Sequence, residues 1–117
     1  MVVLDAQSTG ASPAHGHLLE LAWTVTTAAE LAPPTCTTAS VVALPEGASI
    51  PAVIVGLTGI AAADLAGAPT DASLWQRLLD QACLDVADDA VIPAVAHFAR
   101  FERSFLVPLH ERVAPGR

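Results

Sequence analysis

Basic residues are scarce and lysine is absent: five arginines face twelve acidic residues, for a formal net charge of -7 over 117 residues. A protein that grips duplex nucleic acid by charge alone has the opposite balance. General electrostatic DNA binding is therefore disfavoured, except where metal ions sit between carboxylates and phosphates. Cysteine is limited to Cys36 and Cys83. They form no CxxC and are too few for a disulfide scaffold, so free thiols in an intracellular setting are expected. Long apolar runs are missing too. The longest, from Ile50 to Ala63, is broken by Pro51, Gly56 and Gly59 and is too short to span a bilayer. No basic segment precedes the first apolar run, which Asp5 interrupts, so no signal peptide is expected. A soluble cytoplasmic protein with no membrane association follows as the expectation. Seven glycines, nine prolines and no sustained heptad exclude collagen and coiled coil.

What is present is apolar: 53% of residues are hydrophobic and only 15% charged, enough for one small globular domain. Val2-Val3-Leu4 reads as a buried strand ending at Asp5, followed by a turn through Gln7 to Pro13. From Leu19 to Val25 apolar and polar residues alternate, as in a half-buried strand. A third strand is expected over Thr37 to Leu44, stopped by Pro45. Three strands with short links suggest an antiparallel meander. Val53 to Leu57 suits strand or helix equally, and a short helix is expected over Gly59 to Leu65. Ser73 and Gln76 have the spacing of a capping box, ahead of Leu74, Trp75, Leu78, Leu79, Ala82, Cys83 and Val86 at helical spacing. A strand over Val91 to Ala96 and a helix over Phe98 to Leu106 follow, with Pro108 expected to stop the helix. The whole is a mixed α/β domain with helices on at least one face of its sheet. Trp23 and Trp75 sit on apolar faces, as core residues rather than base-stacking platforms.

The chemistry-bearing residues are few. Asp5 closes the first strand, and Gln7 lies two residues on, on the same strand face. Asp-x-Glu at that spacing aims two carboxylates at one cation, whereas Asp-x-Gln offers one carboxylate and one neutral carbonyl. Taken singly, Asp5 fits a turn aspartate as well. His97 fits a strand-end structural histidine, and Glu102 a solvated helix carboxylate. Four of the five arginines, Arg100, Arg103, Arg112 and Arg117, crowd the C-terminal end. They suit either a phosphate-facing helix or, slightly better, a helix surface balanced by Asp80, Asp85, Asp88 and Asp89.

Read together, these pieces resemble a known family. Val2-Val3-Leu4-Asp5-Ala6-Gln7-Ser8-Thr9-Gly10 is similar to the opening strand and Asp-x-Glu-Thr-Thr-Gly of the DEDDh 3'-5' exonucleases. Leu18-Leu19-Glu20-Leu21-Ala22 resembles their Ile-Ile-Glu-Ile-Gly. Pro45, Ile50-Pro51, Leu57-Thr58-Gly59-Ile60 and Ala68-Pro69 follow in family order. Val95-Ala96-His97-Phe98-Ala99-Arg100-Phe101-Glu102, with Phe105-Leu106 beyond, resembles Val-Ala-His-Asn-Ala-x-Phe-Asp and its Phe-Leu.

The resemblance implies a ribonuclease H-like mixed sheet of three antiparallel strands, helices, and a fourth strand parallel to the first. It implies a partial exonuclease domain over residues 1–117, truncated before the family's final His-x-x-x-x-Asp motif. His110 arrives too early to replace that histidine. Asp5, Gln7 and Glu102 occupy the catalytic positions, with Asp5 and Glu102 as metal ligands for Mg²⁺ or Mn²⁺. Ser8, Thr9, Gly10, His97 and Phe98 fall at substrate-binding positions, Phe98 replacing an asparagine. Gln7 replaces a glutamate and Glu102 an aspartate, so metal binding is expected to be weak. The implied partners are single-stranded nucleic-acid 3' ends and a separate chain supplying the missing part. The implied function is a weak or inactive exonuclease-like domain acting on or binding such ends. The alternative is a non-catalytic nucleic-acid-binding or protein-interaction module on the same fold.

Overall fold

The computed structural model describes residues 2–25, 38–82, 94–96 and 99–115. The chain forms β1 (Val2–Ser8), β2 (Leu18–Val25), β3 (Thr38–Val41), α1 (Ala52–Thr58), a 3₁₀ turn at Ala62–Leu65, α2 (Asp71–Ala82), β4 (Ala94–Ala96) and α3 (Ala99–Val113). The strands build one sheet in the order β3-β2-β1-β4. The first three are antiparallel in sequence order, and β4 runs parallel to β1, as expected.

Alternation along β1 sorts its side chains onto two faces. Val2, Leu4 and Ala6 are buried, whereas Val3 and Asp5 between them are exposed. The buried set joins Leu18, Leu21, Trp23 and Val42 beneath α2 and α3, which supply Leu74, Trp75, Leu78, Ala82, Phe105, Leu106 and Leu109. Trp23 and Trp75 are core residues, with each indole N–H satisfied. Trp23 donates to Gln81 Oε1 at 2.8 Å and Trp75 to His110 Nδ1 at 3.0 Å.

Several expectations shift. The run at Val53–Leu57 is helical, and it buries none of its residues. Helix α2 begins before Ser73: Thr70 is the cap, its Oγ1 accepting from the Ser73 N–H at 3.1 Å. Gln76 is not the reciprocal half of a capping box; its Nε2 donates to Asp80 Oδ1 at 2.9 Å. Thr70→Ala is therefore expected to cost about 1 kcal/mol, read as a lower urea midpoint with an unchanged slope. Helix α3 does not stop at Pro108 but runs through it to Val113. Proline removes one ladder hydrogen bond, to the Ser104 carbonyl, at a cost of about 3 kcal/mol. Burial of Phe105, Leu106 and Leu109 on either side of it offsets that loss. Cys36, Cys83, Val86 and residues 91–93 lie outside the described residues.

Candidate nucleic-acid processing site

The site is assembled at the carboxyl end of β1. The parallel register pairs Val2 with Ala94, Val3 with Val95 and Leu4 with Ala96, so β1 and β4 run toward the same edge. Helix α3 begins three residues after β4 ends, which brings the first turn of α3 to that edge. Asp5 and Gln7 arrive there on β1 and Glu102 on α3.

Their side chains divide between the two faces of the sheet. Asp5 is exposed on the face opposite the core, and Gln7 shares its parity. Glu102 lies three and four residues before Phe105 and Leu106, on the helix stripe that packs against the sheet, and is only 3% exposed. It lines a cavity together with Leu4 and Ala96. Among the described residues, two buried side-chain oxygens lack a hydrogen-bond partner: Gln7 Oε1 and Glu102 Oε2. Buried polar groups are ordinarily paired, so an orphaned oxygen requires a reason. Both belong to residues that the sequence marks for chemistry.

The hairpin register adds Glu20, the glutamate of the second-strand match, to which the sequence alone assigns no chemical role. Gln7 lies directly across from Glu20 on β2, and opposed residues of an antiparallel pair share a face. Glu20 thus adds a second carboxylate beside Asp5 and Gln7. The alternation of β2 puts Glu20 on the outward face; its pairing with Gln7 becomes visible only once the bulge between Gln7 and Ser8 sets the register.

The loop after β1 is built on close backbone approach. Thr9 is buried, its N–H donating to the His17 carbonyl at 2.9 Å and its Oγ1 accepting from the His17 N–H at 2.9 Å. Ser8 Oγ donates to the Gly10 carbonyl. The hydroxyls of Ser8 and Thr9 are thus engaged within the loop that fixes the end of β1. His97 and Phe98 lie outside the described residues. His110 packs edge-on to Trp75 at 5.9 Å between ring centroids, with its Nδ1 taken by the indole. Arg112 pairs with Asp71 at 2.9 Å, so one arginine of the C-terminal cluster balances an acid on α2.

Among the described residues, no group of three His, Cys, Asp or Glu is arranged to hold a metal ion. The available donors are two or three carboxylates and one carboxamide. Asp5 and Gln7 stand on one face of the sheet and Glu102 on the other, so these donors do not form one cluster and would hold a dication only weakly.

No family model and no curated protein matches the sequence. Solved structures do match. The chain superposes on the nuclease domain of 3'hExo, a DEDDh family member, bound to rAMP, with TM-score 0.69 and 13% identity over 95% of this chain and 57% of that one. Product-bound exonuclease I gives TM-score 0.71 and 15% identity over 96% of this chain and 25% of that one. A 3'-exonuclease described for 3'-end-specific recognition of a histone mRNA stem-loop gives 0.70 and 13% over 95% of this chain and 40% of that one. The chain therefore has the fold of the DEDDh 3' exonuclease domains, and it spans little more than half of one such protein and less of the others. Among the described residues no helix is long and apolar enough to cross a membrane.

Proposed function

We propose that the protein is an exonuclease-type domain that engages single-stranded nucleic-acid 3' ends in the cytoplasm, through one divalent cation at the carboxyl end of β1. In this reading Asp5 would hold the ion, with Gln7 as a neutral oxygen and Glu20 as added negative charge on the same face, and Glu102, buried on the opposite face, would reach it only at the sheet edge. The observation that carries it is the pair of orphaned buried oxygens, on Gln7 and Glu102, at the sheet end that the exonuclease motifs single out. A bound Mg²⁺ or Mn²⁺ supplies Lewis-acid stabilisation of phosphate charge. The chain's own residues hold the 3' end: the loop Ser8-Thr9-Gly10 borders it, with His97 and Phe98 at the family's substrate positions. Hydrolysis is slow or absent in this reading, because a glutamine stands where the family has a carboxylate. Where turnover is absent, the domain binds ends without cutting them, alone or with a chain that completes the site.

Gln7→Glu tests the proposal. The new carboxylate faces Glu20 across the strand pair, and like charges in that position repel. The variant is expected to melt below the parent in EDTA and to recover on Mn²⁺ addition, with tighter Mn²⁺ binding by calorimetry. An end-labelled single strand is expected to be cut negligibly by either chain. Equal Mn²⁺ affinity in the two chains removes Gln7 from the ligand set, and rapid metal-dependent cutting by the parent overturns the reading of a crippled site.

A further inference from the structure

Every residue of α1 before Thr58 is apolar, and none is buried. Val53 and Leu57 stand four residues apart on one stripe, 66% and 78% exposed, the two most exposed large hydrophobic residues among those described. Val55 lies two residues from each, about 160° away around the helix, and there it lines a groove of about 530 Å³. Leu44, Ile50 and Leu65 line the groove with it, and apart from Ser49 every lining residue is aliphatic or proline. The helix thus carries an apolar ridge on one flank and an apolar groove on the other. From Gly47 to Ala63 the chain has no charged residue, in a protein of net charge -7. Single exposed apolar side chains are ordinary on a surface, but a ridge beside a matching groove forms a contiguous contact face.

We infer that this face is an interface between two copies of the chain, related by a two-fold axis along α1, with the Val53–Leu57 ridge of each copy seated in the groove of the other. An isologous contact needs a self-complementary patch, and a ridge and a groove on opposite flanks of one helix supply it. Half a turn about an axis parallel to the helix places each ridge opposite the other copy's groove. Charge favours the same occupant. Two chains of net charge -7 repel at most approaches, and this uncharged stretch lets them meet at least cost. Nucleic acid fits the face poorly: it offers no cation to a phosphate and no aromatic ring to a base, and Glu46 and Asp64 flank it in sequence. A helix of seven residues is only about 10 Å long, so the contact is small and falls in the weak, transient class below about 1,200 Å².

Sedimentation velocity of the full chain, without metal or nucleic acid, is expected to show a monomer–dimer equilibrium between roughly 5 and 500 µM. Leu57→Glu breaks the ridge, and Ala66→Lys breaks the groove from an exposed position in its lining. Each variant is expected to stay monomeric over that range while melting close to the parent, because both positions are exposed. Mixed in equal amounts, the two variants are expected to associate. One ridge and one groove of that pair are intact, and the altered ridge and groove oppose unlike charges. A parent that is monomeric at 500 µM overturns the inference, as does association that survives either variant or a mixture that stays monomeric. Growth beyond a dimer overturns the two-fold arrangement. A single strand bound by a monomeric parent and released by Leu57→Glu assigns the face to nucleic acid instead, and also overturns it. No metal enters these measurements, so their failure leaves the cation proposal standing, and loss of the Gln7→Glu effect leaves this one standing.

Discussion

Glu102→Leu is expected to stabilise the folded protein while weakening the proposed cation binding. Glu102 is almost fully buried with one oxygen unpaired. Burial of a carboxylate without full hydrogen bonding costs about 1–3 kcal/mol and more when it is charged. One effect opposes removal: Glu102 stands in the first turn of α3, where the helix dipole favours an anion by about 0.3–1 kcal/mol. Desolvation outweighs it. Leucine also fills apolar space beside Leu4 and Leu106, which line the same cavity. A net gain of about 1–2 kcal/mol is expected from urea unfolding, accompanied by weaker Mn²⁺ binding. A loss of stability would show that Glu102 is satisfied in solution and is a structural carboxylate.

Gly10→Ala is expected to destabilise strongly, for a reason that has nothing to do with chemistry. A Cβ at Gly10 would stand 2.3 Å from the His15 carbonyl oxygen, and one at Gly16 would stand 2.4 Å from the Gly10 nitrogen. These obstacles are backbone atoms that no rotamer change removes. The loop must open, breaking the paired bonds between Thr9 and His17 that close it. A cost toward the upper end of about 1–3 kcal/mol is expected for such overpacking. Because Asp5 and Gln7 sit on the strand that this loop terminates, Mn²⁺ affinity is expected to fall with stability. Gly56→Ala is the matched control. It lies within α1 with nothing inside 4 Å of an added Cβ, so it is expected to stabilise by up to about 1 kcal/mol. Equal effects at the two glycines would mean that the contact at Gly10 does not persist in solution.

Period and alternation made most of the architecture readable from the chain itself. The exposure alternation of β1, the half-buried β2 and the stripe Leu74, Trp75, Leu78 and Ala82 each have a repeat that only one backbone geometry can use. Asp5, Gln7 and Glu102 were legible as candidates because residue type and spacing, matched to family motifs, need no coordinates. Where local signal was weak, tertiary structure decided. Val53 to Leu57 has no period that separates strand from helix, and the helix it forms leaves Val53 66% and Leu57 78% exposed. Pro108 forbids a helix only locally; packing of the flanking apolar face outweighs the one lost bond. The placement of Glu20 across from Gln7 depends on hairpin register, which a one-residue bulge determines. The burial of Glu102 depends on how α3 lies against the sheet. Residue type and spacing identify which groups carry charge, but solvation and partnership arise only when distant segments meet, and those two properties determine what a carboxylate can bind.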